Sequence, residues 1–168
     1  AQQRTSRAVA EAIPAYPAAG LTWQKRLGLI LHAPTEPEVR TFIAEQIHPA
    51  LAQVAKEFLA RGQDAQVEEG EDGAIALRSG TEGLRDFVYG VLVASHPVAV
   101  LSSMAAGKPE TRYEARTYFS TGERGYDVMG MTRDQVITDV LVQFERYMSL
   151  THSPDVRLMQ TAPEHDGS

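Results

Sequence analysis

The sequence predicts an α+β fold: an antiparallel sheet of about four strands, with two N-terminal helices and one C-terminal helix packed on it. Three observations carry this. Apolar residues recur at three- and four-residue spacing near both ends of the chain and at period two in its middle, and no βαβ rhythm links the two patterns.

Residues 1–21 read as a linker: they are Ala-rich, carry Pro14, Pro17 and Gly20, and hold no sustained period. From Thr22 a short helix is expected, with Trp23, Leu27, Ile30 and Leu31 on one face and Lys25 and Arg26 beside them. Such a face suits a lipid interface, where Trp and basic residues anchor, but its shortness favours docking on the domain's own core. The next helix has clear ends. Thr35 and Glu38 form a capping box, Pro37 falls in the first turn, and Gly62 supplies a left-handed stop. Val39, Phe42, Ile43, Ile47, Ala50, Leu51, Val54 and Phe58 make one apolar stripe between them. Pro49 lies inside the stripe and is expected to bend or divide the helix, because its ring clashes with the preceding turn.

Ala65 and Val67, then Ile75 and Leu77, alternate with polar residues around Gly70-Glu71-Asp72-Gly73, the pattern of a hairpin. Phe87, Tyr89, Val91 and Val93 mark a third strand that Pro97 is expected to end. Tyr113, Ala115, Thr117 and Phe119 mark a further strand stopped by Thr121-Gly122, while 98–109 is ambiguous. The last helix opens at Thr132, with Gln135 completing a second capping box. Val136, Ile137, Val140, Leu141, Phe144, Tyr147 and Met148 form its buried face, and Ser153-Pro154 closes it. The polar residues beyond read as a frayed tail.

At 168 residues the chain suits one domain with a real core, and its 43% hydrophobic and 23% charged residues are ordinary for a globular protein. There is no cysteine, which removes disulfides and thiolate metal sites. The apolar runs are too short to cross a bilayer. The chain starts at Ala1 without a signal-peptide pattern, as a processed protein or an excised domain would. A net charge of −6 argues against a nucleic-acid partner. The charge is uneven: residues 1–32 hold Arg4, Arg7, Lys25 and Arg26 against Glu11, a balance of +3, so residues 33–168 carry −9. A basic lead-in on an acidic body fits a segment emerging at the cytoplasmic side of a membrane, and it fits a basic tail without a partner.

No catalytic, cofactor-binding or metal set is legible. His32, His48, His96, His152 and His165 are scattered without i, i+4 pairing. There is no Gly-x-Ser-x-Gly elbow, and Ser95 and His96, adjacent near a strand end, point to opposite faces. Ser102 to Lys108 lacks the spacing of a phosphate-binding loop. Glu68, Glu69, Glu71 and Asp72 at the hairpin tip read as a solvated turn that keeps a sheet edge from sticking. Gly122-Glu123-Arg124-Gly125 has one basic residue between its glycines and reads as a turn. Tyr89, Tyr113, Phe87 and Phe119 fall at core positions rather than forming a cage for a quaternary ammonium.

Several segments in one order carry a resemblance: Trp23-Gln24-Lys25-Arg26-Leu27, His48-Pro49-Ala50-Leu51 with Val54-Ala55, Arg61-Gly62, Asp86-Phe87-Val88-Tyr89, Tyr113 and, most specific, Tyr126-Asp127-Val128-Met129-Gly130 leading to Gln135-Val136-Ile137-Thr138-Asp139 and Phe144-Glu145-Arg146. Over about residues 22–152 the chain resembles the C-terminal cytoplasmic domain of choline transporters of the betaine/choline/carnitine family. The resemblance implies a juxtamembrane linker over 1–21, a cytoplasmic regulatory domain over 22–153 and a flexible tail over 154–168. It implies a bacterial inner-membrane carrier that imports choline by ion-coupled symport, its transport tuned to osmotic stress by this domain at the cytoplasmic face. Choline-binding residues would belong to the transmembrane part, so none maps onto this chain and no cofactor is expected. The expected partners are that transmembrane part, anionic lipid and other copies of the chain, with no nucleic acid. Arg4, Arg7, Trp23, Lys25 and Arg26 are the candidate lipid or carrier contacts. Tyr126 and Asp127 mark either a contact surface or a structural turn.

Overall fold

The computed structural model describes residue 17, residues 20–98 and residues 110–151. Arg4, Arg7, most of the 1–21 linker, the Ser102 to Lys108 stretch and the 154–168 tail lie outside the described residues. Four strands, β1 (Gln66–Glu69), β2 (Ile75–Ser79), β3 (Phe87–Val98) and β4 (Glu110–Phe119), form one antiparallel sheet in sequence order.

The helices are α1 (Trp23–Leu31), α2 (Glu36–Phe42), α3 (His48–Ala60) and α4 (Arg133–Thr151). Both capping boxes form: the Thr35 N–H donates to Glu38 Oε2 at 2.8 Å and the Thr132 N–H to Gln135 Oε1 at 2.9 Å, each side-chain hydroxyl accepting in return. Gly62, at φ +80°, stops α3, and the Gln63 N–H reaches back to the Phe58 carbonyl at 2.9 Å.

The expected break at Pro49 takes a different form. One wide turn with π geometry, Ile43–Ile47, joins α2 to α3, and the His48 N–H bonds to the Ile43 carbonyl five residues back. Because the chain is already overwide there, Pro49 opens the following α-turn, where no N–H is required of it. The helix stays one body, and Val39, Ile43, Ile47, Leu51 and Val54 are all buried.

One sheet face builds the core. Leu77, Tyr89 and Phe119 stand side by side across three strands, as do Ile75, Val91 and Thr117, and α2, α3 and α4 close over them. Phe58, Phe87, Phe144 and Tyr147 pack as a ring cluster with centroids 4.9–5.9 Å apart. On the opposite face Arg78 bridges Glu68 at 3.0 Å and Asp86 at 3.4 Å, and the ring of Tyr118 lies over Gly90, where a Cβ would sit 2.0 Å from the ring.

β3 does not end at Pro97; it pairs with β4 as far as Val98. The Ser120 N–H bonds to the Val88 carbonyl, so even-numbered residues of β3 face β4 and odd-numbered ones face β2. β2 reaches only Val91 of β3, which leaves Pro97 on an edge where no β2 carbonyl awaits an N–H.

Candidate functional site

The Tyr126 to Gly130 segment runs as a short extra rung along the outer edge of β4. Thr117 N–H donates to the Tyr126 carbonyl and Val128 N–H to the Ala115 carbonyl, both at 2.9 Å, with Arg116 and Asp127 paired between them. Asp127 holds this turn from within: its Oδ1 accepts from Met129 N–H at 2.9 Å and Ala115 N–H at 3.2 Å. Gly130, at φ +84°, lets the chain leave the rung toward α4. Gly125 must also be glycine, since a Cβ there would fall 1.8 Å from the Thr117 carbonyl oxygen.

Tyr126 points into the core. Its hydroxyl and that of Tyr89 both donate to Asp139 Oδ2 at 2.7 Å, and Gln143 Nε2 donates to the Tyr126 hydroxyl at 2.9 Å. All four residues are buried. Burial, reinforced by the Asp139 carboxylate, pushes both phenols well above their ordinary pKa, so they remain donors.

The structure separates the candidate contacts of the N-terminal helix. α1 buries none of its residues. Trp23, Leu27, Ile30 and Leu31, 70%, 45%, 60% and 65% exposed, form one outward stripe, so the face that reads as apolar in the sequence is not the docked one. The opposite side meets the body: Lys25 Nζ donates to the Gly130 carbonyl at 3.4 Å, Arg112 reaches the Ile30 carbonyl at 3.2 Å, and Leu29 approaches Gly130. Lys25 therefore ties the helix to the body while staying exposed, and Trp23 points away from that contact.

Between α1, β4 and the 124–129 segment lies a cavity of about 380 Å³. Arg26, Arg112, Arg116 and Arg124 line it with Glu114, Tyr113 and Asp127, and Leu21, Leu29, Ile30 and Met129 supply apolar wall. Arg116 pairs with Glu114 at 3.1 Å. Enclosure raises the Asp127 carboxyl to about 6; the Met129 N–H opposes this, Glu114 adds to it, and the Ala115 N–H and Arg116 pull it down. Asp127 as a whole stays open to solvent, so water still serves its ionised form and the rise weighs little in stability. Sequence reasoning singled out Arg26 and Asp127, read Arg124 only as part of a turn, and missed Arg112 and Arg116. These three come from a strand and a turn that meet α1 only in the folded chain.

The remaining candidates resolve as local structure. The hairpin-tip carboxylates are spread: Glu68 meets Arg78, Glu69 lies 3.9 Å from His48, and the Asp72 carbonyl accepts from Arg40. Among the described residues no three His, Asp or Glu side chains gather as a metal site would require. Among them, too, no helix is long and apolar enough to cross a membrane.

No family model matches the chain. It is 29% identical over 151 residues, 86% of its length, to the high-affinity choline transport protein of Escherichia coli. It is 28% identical over 79% of its length to the osmo-dependent choline transporter of Acinetobacter baylyi, and 29% identical over 76% to the glycine betaine transporter of the same organism. It spans only 22%, 20% and 20% of those proteins, respectively. By sequence, the chain is a homologue of one segment, about a fifth of the length, of BetT-type choline and glycine betaine transporters.

Proposed function

We propose that this chain is the C-terminal cytoplasmic regulatory domain of an ion-coupled choline transporter in a bacterial inner membrane, and that it tunes choline uptake to osmotic stress. The observation that carries the reading is the match of most of this chain to a fifth of several carriers, one of them named osmo-dependent. The relatives include both choline and glycine betaine carriers, which supports a role other than choosing the cargo. The fold supports this too: Asp127 holds a turn, and Tyr89, Tyr126, Asp139 and Gln143 form a buried hydroxyl network.

Regulation needs a surface whose contacts change with the solution. The outward stripe of α1, with Trp23 at its start and Arg26 beside it, directly follows the basic lead-in that carries Arg4 and Arg7. Anionic lipid or the transmembrane part of the carrier is the partner such a surface fits. Screening acts over about 8 Å at physiological salt and shortens as ionic strength rises, so a contact between basic lead-in and anionic lipid weakens under osmotic load. That would bias a carrier with two states. Tyr126 stabilises the body behind this surface, and Asp127 lies at the rim of the cavity beneath it.

The test is choline uptake against external osmolality for the full-length carrier and for a version ending just before Trp23. Basal uptake that survives with activation lost or shifted supports the reading; coinciding curves overturn it. Replacing Arg4, Arg7, Lys25 and Arg26 together by Gln should move the osmotic set point, and an unchanged curve would remove lipid contact from the account.

A further inference from the structure

We propose that the cavity between α1 and β4 is a binding site for a phosphate-bearing amphiphile, with the phosphate held by Arg112 and Arg124 and an apolar group lying along Leu29, Ile30 and Met129. The site belongs to this chain and stands or falls independently of the transport reading.

The charges of the cavity do not cancel locally. Arg116 is taken up by Glu114, and Asp127 spends its Oδ1 on two backbone N–H groups. Arg124 makes no hydrogen bond or ion pair among the described residues. Arg112 uses one terminal nitrogen on the Ile30 carbonyl, but its Nε–H is buried without an acceptor there. An atom closed off in this way meets no ligand directly, so the terminal nitrogens of Arg112 and Arg124 are the ones that would hold an anion. Two guanidinium groups from different elements call for an anion that accepts along several directions, and phosphate does so.

The rest of the wall sets the second half of the ligand. A volume of about 380 Å³ exceeds what a bare phosphate needs and falls within the range of small-molecule sites. Leu21, Leu29, Ile30 and Met129 give it an apolar side, and Ile30 continues from the cavity onto the exposed stripe of α1. A soluble organic phosphate fits inside this space. A phospholipid headgroup fits as well, with its chains leaving along the stripe. The two share one recognition chemistry.

The experiment titrates this chain with inorganic phosphate, with adenosine monophosphate, and with phosphatidylcholine vesicles made with or without phosphatidylglycerol. Side-chain Nε–H signals of arginine report the soluble probes, and co-sedimentation reports the vesicles. The expected result is a shift of the Arg112 Nε–H with adenosine monophosphate, binding to vesicles only when they contain phosphatidylglycerol, or both. Adenosine monophosphate alone assigns a soluble ligand, vesicles alone a headgroup, and both the phosphate itself. Arg124→Gln, on an exposed turn that folding does not need, should weaken binding about tenfold, as expected for a lost charge-assisted hydrogen bond. Arg61→Gln, at the far end of α3, should change nothing. No response to either organic probe overturns the proposal, as does Arg124→Gln binding like the parent or Arg61→Gln losing as much. Inorganic phosphate binding as tightly as adenosine monophosphate overturns the apolar half.

Discussion

Asp139 ties the last helix to the sheet: one carboxylate oxygen receives the hydroxyls of Tyr89 from β3 and Tyr126 from the rung beside β4, each at 2.7 Å. Asp139→Ala would strand two buried hydroxyls, and at about 1–3 kcal/mol for each unmet group the loss should reach about 3 kcal/mol. Asp139→Asn keeps an acceptor and should lose about 1 kcal/mol. Urea unfolding of the two variants checks the order; equal losses would mean that volume, not hydrogen bonding, governs the position. The residues of this network are only partly legible in the sequence. Tyr89 declares itself by alternation along its strand, and Tyr126 by its place in the Tyr-Asp-Val-Met-Gly segment. Asp139 sits on the core side of an amphipathic helix, where the pattern alone gives a carboxylate no reason to be. Only the partners, 50 and 13 residues away in sequence, explain it.

At the scale of elements the ends are better written than the middles. Thr35 with Glu38, Thr132 with Gln135, and Gly62 each fix a boundary, because a cap is a local exchange of hydrogen bonds that needs no tertiary help. Pro49 and Pro97 are legible as interruptions, but their outcomes depend on neighbours: a wide turn upstream absorbs the first, and an unpaired strand edge absorbs the second. Because the turn at Ile43–Ile47 already accommodates the ring, Pro49→Ala should change stability by less than about 1 kcal/mol. Ala52→Pro, one turn further on in regular α-helix, should cost about 3 kcal/mol or more. Thermal unfolding separates the two cases. A large gain from Pro49→Ala would show that the wide turn leaves the clash in place.

For the molecule as a whole, the balance of buried and open surface decides what it can meet. The domain closes its core under α2, α3 and α4, yet leaves the apolar stripe of α1 in water. The single tryptophan of the chain stands on that stripe and is 70% exposed. Its emission should therefore be red-shifted and freely quenched by iodide in the isolated chain, and should shift blue when a lipid or protein surface covers α1. A blue, unquenchable signal from the chain alone at low concentration would place Trp23 inside the fold and remove the stripe as a contact surface. The α+β class, the strand count and the terminal helices are legible from periodicity, because each reports one element's burial. The direction in which α1 turns its faces is not, since Lys25 and Leu29 dock it against residues a hundred positions away in the chain. Among the described residues, the edge of β3 beyond Val91 carries no partner strand, which has a consequence for solubility. Past the end of β2, a foreign strand seeking a ladder would reach the missing N–H of Pro97 almost at once, so it finds too few donors to grow a seam. The proline thus guards an acidic protein against sticking to its own copies through backbone pairing.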